Sequence, residues 1–208
     1  MQNIIHTDFG DYLFSAVHLY HGRGAIDPEI SARNLLLLKE LLDNRDIRFG
    51  IIYGTLLGAI REGGFIPWDE DVDIYILNEY KKDFQNYLHE LREHGLEIVR
   101  ADGDLYSLMK DNNYIDIYFF RRNGGRRICN RDSVRSAYIE NHEPLNFLGT
   151  TFLAPSNARQ FLSEVYGPDW MTPKRDFPAK PWSNWMKFKE AVKVKFPFLL
   201  QAKQWLRR

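Results

Sequence analysis

The sequence predicts an α+β fold in which a mixed β-sheet is flanked by helices. The first observation is the order of the elements: helix, strand, helix, strand, helix, and then several strands in succession. This order lacks the regular alternation of a doubly wound parallel sheet. The second is size, because 208 residues with 44% hydrophobic composition can bury a core large enough for one globular domain. The chain has no internal repeat and no low-complexity segment.

The first clear elements are marked by a cap and by apolar periodicity. Asp27 and Pro28 suit the N-cap and first turn of a helix that continues to about residue 43. Residues 48–53 form an apolar run typical of a strand, and residues 55–61 follow it as a short helix. We therefore expect a strand–turn–helix unit in this part of the chain.

The middle of the chain is richer in strands. Residues 72–77 are predicted to form a strand, and Asn78 is predicted to cap a single helix that ends at Gly95. Short turn signals then separate three apolar runs. These predicted strands are residues 96–100, 105–110 and 114–120.

The two ends are less regular. Residues 1–26 give no clear prediction, and a loop-rich insert is expected from residue 123. Residues 148–153 are predicted to form one more strand. Ser156 is predicted to cap a last helix that continues to about residue 166.

Charge and cysteine content narrow the class of protein. Lys and Arg together number 28, as do Asp and Glu, so the net charge is zero and a general nucleic-acid binder is disfavoured. Cys129 is the only cysteine, which suits a reducing cytosol. No signal peptide and no apolar run of about 20 residues is present, so we expect a cytoplasmic protein.

The C-terminal segment differs in charge from the rest of the chain. From residue 187 onward it carries seven Lys or Arg and one Glu, a net charge of +6 that leaves −6 on the body. We therefore expect one catalytic domain over residues 1–186 and a basic amphipathic tail over residues 187–208. The tail either lies on the anionic inner face of the membrane or packs as a helix on the acidic body.

The strongest chemical signal is a pair of carboxylates on the second strand. Asp71 and Asp73 project from one face, and their mutual repulsion is relieved where a divalent cation lies between them. Gly54 and Thr55 form a small-residue turn before a helix, where backbone N–H groups can approach a phosphate. An ordinary strand-to-helix turn has the same appearance, and the carboxylate pair that follows favours the phosphate site.

Three further residues complete the predicted site. Asp116 stands alone in an apolar strand, where a buried carboxylate needs a partner or a cation; it is either a third metal ligand or the base that accepts a hydroxyl proton. Arg61 either neutralises charge on a transferred phosphoryl group or binds carbonyls at its helix end, and Lys110 has the same two interpretations. Tyr166 and Trp170 either stack on a ligand or pack in the core.

Four segments of the chain resemble a known family. Residues 54–61 read GTLLGAIR, residues 66–73 read IPWDEDVD, residues 115–117 read IDI, and residues 166–173 read YGPDWMTP. Together they resemble the LicD family of phosphocholine transferases of bacterial surface glycans, which is related to fukutin and fukutin-related protein. The one departure in these motifs is Glu70, where an Asp is usual. The resemblance implies a nucleotidyltransferase-like fold.

The resemblance also implies an activity. It implies transfer of a phospho-alcohol unit from a CDP-activated alcohol donor, in a reaction that depends on Mg²⁺ or Mn²⁺. The acceptor would be a sugar hydroxyl of a cell-surface glycan or lipid-linked sugar, such as capsule or lipopolysaccharide. Asp71, Asp73 and Asp116 would bind the metal, and Gly54, Thr55, Arg61 and Lys110 would bind the donor. Two alternatives remain at this point: a nucleotidyltransferase that releases pyrophosphate, and a non-catalytic partner of a glycan-assembly enzyme at the membrane.

Overall fold

The computed structural model describes residues 2–19 and 24–174. Its helices are α1 (Pro28–Asp43), α2 (Tyr53–Arg61), α3 (Lys81–Asn86), α4 (Leu88–Glu93), α5 (Ser136–Glu140) and α6 (Ala158–Tyr166). Its strands are β1 (Gln2–Thr7), β2 (Gly10–Ser15), β3 (Phe49–Ile51), β4 (Val72–Leu77), β5 (Glu97–Asp102), β6 (Leu105–Lys110), β7 (Asn113–Asn123), β8 (Arg126–Cys129), β9 (Asp132–Arg135), β10 (Glu143–Phe147) and β11 (Thr150–Ala154).

Nine of these strands form one mixed sheet. Seven follow the order β10-β11-β3-β4-β7-β6-β5, while β8 pairs with β7 and β9 pairs with β8. The pairs β11–β3 and β4–β7 are parallel, and the other pairs are antiparallel. The predicted α+β class with a mixed sheet and flanking helices is therefore confirmed.

The central pair β4 and β7 forms the buried middle of this sheet. Ile74, Ile76 and Ile117 are fully buried, as expected for strands that are covered on both faces. Helix α1 begins at the predicted place, because the Asp27 side chain accepts hydrogen bonds from the backbone N–H groups of Glu29 and Ile30. Within this buried middle, Asp73 and Asp116 are buried carboxylates, and both belong to the candidate site.

Two predicted boundaries around the second and third helices were wrong. The N–H of Leu56 donates to the carbonyl of Ile52, so α2 begins at Tyr53 and Gly54 lies inside its first turn. The single helix predicted from Asn78 to Gly95 is a 3₁₀ turn followed by α3 and α4. The break falls at Tyr87, whose N–H also donates to the carbonyl of Phe84, three residues back, in a tighter 3₁₀-type turn.

The ends of the chain are more regular than predicted. Strands β1 and β2 form an antiparallel hairpin in the N-terminal segment that gave no prediction, and the expected insert contains β8, β9 and α5. The strand predicted at residues 148–153 is the second strand of the β10–β11 hairpin. The Ser156 hydroxyl donates to the carbonyl of Ala137 instead of capping α6, and Asn157 occupies the N-cap position.

The described residues up to Thr172 form one compact unit. Within the described ranges, no helix is long and apolar enough to cross a membrane. The predicted domain boundary at residue 186 and the basic tail lie outside the described residues, so both stay predictions.

Candidate active site

Three carboxylates meet at one end of the parallel pair β4–β7. Asp73 lies directly opposite Asp116 in the register of the two strands, and Asp71 lies just before β4. One oxygen from each of these three residues lies within 4.8 Å of the others. The alternation that puts Asp71 and Asp73 on one face of the strand therefore also aims them at Asp116.

The start of α2 holds Asp73 in place. The N–H of Gly54 donates to Asp73 Oδ2 at 2.8 Å, and the backbone N–H of Asp73 donates to Thr55 Oγ1 at 2.7 Å. A Cβ on Gly54 would lie 2.5 Å from Asp69 Oδ2 and 3.0 Å from Asp73 Oδ2, so only glycine leaves room for both carboxylates. The two residues predicted to contact phosphate thus hold a site carboxylate, and their contact with phosphate stays a prediction.

Burial and repulsion make these carboxylates costly to ionise. Burial raises the pKa of Asp71 well above its usual value, and the charges of Asp73, Asp116 and Asp69 raise it further. Burial, with the charges of Asp69 and Asp116, likewise raises the pKa of Asp73. Burial also raises the pKa of Asp69 to about 6. A cluster of this kind favours a bound cation, since positive charge would offset both the repulsion and the lost hydration.

Two residues that the sequence analysis did not identify hold Asp116. This carboxylate is fully buried, and its Oδ1 accepts a hydrogen bond from Ser107 Oγ at 2.6 Å. Its Oδ2 accepts one from Arg100 Nη2 at 2.5 Å, and Arg100 Nε donates to Ser107 Oγ at 2.9 Å. Both oxygens of Asp116 therefore already accept hydrogen bonds, which favours the metal-ligand interpretation over the base.

A signal for this arrangement was present in the sequence. Two-residue turns at residues 103–104 and 111–112 join β5 to β6 and β6 to β7, and such turns determine which residues face each other. They place Arg100 opposite Ser107, and Ser107 opposite Asp116. Counting outward from the two turns would have found both partners.

The structure does not bring the two predicted cations against the carboxylates. Arg61 ends α2 six residues after Thr55, about 9 Å along the helix axis. Its guanidinium donates to the side chain of Glu62 at 2.7 Å and to the carbonyl of Trp170 at 3.1 Å. Lys110 ends β6, and its Nζ donates to the carbonyl of His94 at 3.1 Å. The Lys110 contact matches the helix-end interpretation, because His94 is the C-cap residue of α4, whereas the carbonyl that Arg61 binds lies outside α2. Binding of the donor by either residue stays a prediction.

Aromatic residues border the carboxylates. The side chain of Tyr118 hydrogen-bonds to Asp73, which lowers the pKa of that carboxyl against the effect of burial. Burial, with the nearby charges of Asp73 and Asp69, raises the pKa of the partly buried Tyr166. Trp170 is buried in the main hydrophobic core, so the packing interpretation is correct for this residue.

The residues present fit a divalent cation. Mg²⁺ and Mn²⁺ prefer oxygen ligands and commonly use one or more carboxylates together with water and phosphate oxygens. The cluster offers three carboxylates within one ion's reach, and Gly54 leaves the space that they need. Asp71, Asp73 and Asp116 are therefore the residues that would hold such an ion.

Comparison with known proteins places the site in a family. Residues 46–157 match the model described as LicD/FKTN/FKRP, nucleotidyltransferase domain. Ribitol 5-phosphate transferase FKRP of Mus musculus is 32% identical over 148 residues, covering 62% of this chain and 29% of the relative. Lipopolysaccharide cholinephosphotransferase LicD of Haemophilus influenzae is 42% identical over 55 residues, covering 26% of this chain and 21% of the relative.

Among solved structures, the antibiotic-resistance factor ANT(2'')-Ia matches with a TM-score of 0.49 and 9% identity, over 87% of this chain and 98% of that chain. The matched segment spans less than half the length of the curated relatives. The family model itself covers more than half of this chain and includes Gly54, Asp71, Asp73 and Asp116. The chain therefore belongs to the LicD/FKTN/FKRP family of nucleotidyltransferase domains.

Proposed function

We propose that this chain is a divalent-cation-dependent phosphotransferase. It moves a phospho-alcohol unit from a CDP-activated donor to a sugar hydroxyl of a cell-surface glycan or glycolipid. The single observation that carries the proposal is the cluster of Asp71, Asp73 and Asp116, whose oxygens lie within 4.8 Å of one another. The names of two relatives, a ribitol 5-phosphate transferase and a lipopolysaccharide cholinephosphotransferase, support the class of the transferred group, and the second name also supports a glycolipid acceptor.

In this proposal the three clustered carboxylates share the task of holding the metal, and the start of α2 orients one of them. Asp71, Asp73 and Asp116 hold Mg²⁺ or Mn²⁺, which when bound supplies positive charge for the diphosphate of the donor. Gly54 and Thr55 keep Asp73 oriented through the two hydrogen bonds at the start of α2. Preorganised ligands of this kind lower the barrier because they need not rearrange as charge develops.

Asp69 is the best candidate for the proton acceptor. Both oxygens of Asp116 are already hydrogen-bonded, whereas Asp69 accepts one backbone hydrogen bond at Oδ1, from Glu70, and its Oδ2 lies beside Asp73. Burial raises the pKa of Asp69 to about 6 in the site without metal. A base with a pKa near the working pH accepts a proton efficiently. In the proposed reaction Asp69 accepts the acceptor hydroxyl's proton, the hydroxyl oxygen bonds to phosphorus, and cytidine monophosphate leaves with the electron pair of the broken P–O bond.

One alternative has a specific observation in its favour. The family model is described as a nucleotidyltransferase domain, which is compatible with transfer of a nucleoside monophosphate and release of pyrophosphate. The two reactions use the same three acids but release different products. A non-catalytic role is disfavoured, because the three carboxylates and their supporting hydrogen bonds are all present.

Product analysis tests the proposal. The chain is incubated with Mg²⁺, a candidate glycan acceptor and CDP-choline, CDP-ribitol or CDP-glycerol, and the released nucleotide is identified by chromatography. Release of cytidine monophosphate that requires both Mg²⁺ and Asp73 is expected, and Asp73→Asn is the matched control. Release of pyrophosphate from a nucleoside triphosphate, with no reaction of any CDP-alcohol, would support the alternative.

Ligand binding gives a test that needs no acceptor. Cytidine mono- and diphosphate should raise the melting temperature only when Mg²⁺ or Mn²⁺ is present, because a cation held by the carboxylates would supply the positive charge that attracts the phosphate. Equal stabilisation in chelator would contradict a metal role for the acids. Equal stabilisation by adenine and guanine nucleotides would contradict a cytidine donor.

A further inference from the structure

A row of polar side chains crosses four strands at the candidate site. Arg100 on β5 faces Ser107 on β6, Ser107 faces Asp116 on β7, and Asp116 faces Asp73 on β4. Hydrogen bonds join Arg100, Ser107 and Asp116 along the row. The Asp116 side chain is fully buried and that of Arg100 is 20% exposed, so little water screens this ion pair.

A β-bulge controls which way Arg100 points. The pairing of β5 with β6 shifts between Ile98 and Arg100, so that Val99 is an extra residue on β5. The shift lets Ile98 pair with the buried Leu108 while Arg100 pairs with Ser107, on the opposite face of β6. Regular alternation would put Ile98 and Arg100, two residues apart, on the same face. The bulge therefore buries an apolar residue and aims the cation at the site.

The segment that follows the N-terminal hairpin holds this bulge. The N–H of Val17 donates to the carbonyl of Val99 at 3.0 Å. Leu19 packs with Val99 and Tyr114 in a small buried cluster, and Tyr114 lies two residues before Asp116 on β7. Val99 and Arg100 therefore both lie on the face that carries Asp116, as expected at a bulge. Residues 17–19 thus contact the strand position from which Arg100 reaches the site.

We propose that Arg100 and Ser107 are positioning residues that orient Asp116 as a cation ligand, and that residues 17–19 hold the bulge that keeps Arg100 in place. This inference rests on the proposed function in that it requires the carboxylate cluster to bind a divalent cation. Arg100 acts through Asp116, because it donates hydrogen bonds to Asp116 and to Ser107, and Ser107 in turn donates to Asp116. Partners of metal ligands typically change metal affinity by about 10- to 100-fold when they are removed.

Mn²⁺ binding, followed by EPR titration of the free ion, tests the positioning role without any turnover. Arg100→Lys keeps the positive charge but loses the planar fork that reaches both Ser107 and Asp116, and we expect about 10-fold or greater weakening. Ser107→Ala changes no charge, and we expect a loss of similar size. Arg121→Lys is the matched control, because Arg121 pairs with Asp104 at 3.0 Å outside the carboxylate cluster.

A second pair of variants tests the bulge. Val17→Pro removes the N–H that donates to Val99 and should also weaken Mn²⁺ binding, whereas Val17→Ala keeps that N–H and should bind as the wild type does. Circular dichroism and urea midpoints establish that each variant is folded; if Val17→Pro is not, Arg100→Lys and Ser107→Ala still carry the test. Wild-type affinity in both of those variants would overturn the inference while leaving the proposed function intact. Absence of Mn²⁺ binding by the wild-type chain would overturn the proposed function itself, and this inference with it.

Discussion

The raised pKa of Asp69 predicts how stability without metal depends on pH. Burial raises this pKa from 3.8 to about 6, so the folded chain holds the proton more tightly than the unfolded chain does. The folded state is therefore favoured most below pH 3.8, and this contribution is lost as pH rises through about 6. A shift of about two units corresponds to about 3 kcal/mol in total. Partial exposure of the side chain makes this an upper value.

About half of that contribution falls in an accessible pH range. Between pH 5 and pH 8 the linkage relation gives a loss of about 1.4 kcal/mol in the free energy of unfolding. Asp69→Asn removes the titrating group, so the variant should lose less stability than the wild type over this range. Urea unfolding at pH 5, 6, 7 and 8 in chelator measures the difference. Asp83→Asn, which changes an exposed carboxyl outside the site, is the control and should follow the wild type.

The comparison between the wild type and Asp69→Asn isolates Asp69 together with its effect on Asp71 and Asp73, because carboxyls outside the site titrate equally in both proteins. Asp71 and Asp73 have pKa values raised in the same direction, and loss of the Asp69 charge lowers those values as well. Both effects reduce the pH dependence of the variant. Identical pH dependence in the wild type and Asp69→Asn would refute the burial argument for this carboxyl.

Three other outcomes follow from the site and its surroundings. Asp71→Asn and Asp73→Asn should each weaken Mn²⁺ binding by about 10-fold or more. In chelator both variants should melt at the same or a higher temperature than the wild type, because the repulsion between carboxylates is relieved. A lower melting temperature in both variants would count against this repulsion. If Asp69 is the base, the rate should rise with pH as this carboxyl ionises, at a pH below about 6 because a bound cation would lower its pKa, and Asp69→Asn should lower the rate by about 10²–10⁴-fold. An unchanged profile would exclude that role. Burial raises the pKa of Cys129 to about 12, and its Sγ donates to the carbonyl of Asp104. A thiol reagent should therefore label this cysteine at neutral pH only after the protein unfolds. Rapid labelling of the native protein would contradict this burial.

Local sequence was sufficient for much of the fold. The cap at Asp27, the apolar run of β4 and the bounds of β6 depend on neighbouring residues, and each is found where it was predicted. Predictions were wrong where a distant contact competes with a local preference. Ser156 has the chemistry of a helix cap, but its hydroxyl binds the carbonyl of Ala137, 19 residues away. The strands of the N-terminal hairpin carry too few alternating apolar residues to be recognised from their sequence alone.

The sequence by itself determined the class of site, because Asp71 and Asp73 must share one face of a strand and Asp116 stands alone in another. Only the tertiary structure decided what surrounds them. Parallel pairing of β4 with β7 places Asp73 opposite Asp116, and α2 turns the N–H of Gly54 towards Asp73 rather than leaving it free. The tertiary structure also decided which cationic side chain contacts the carboxylates. Arg61 and Lys110 are close to the motifs in sequence, but helix rise and strand length carry them to other contacts. Arg100 reaches Asp116 because adjacent strands place residues distant in sequence directly opposite each other.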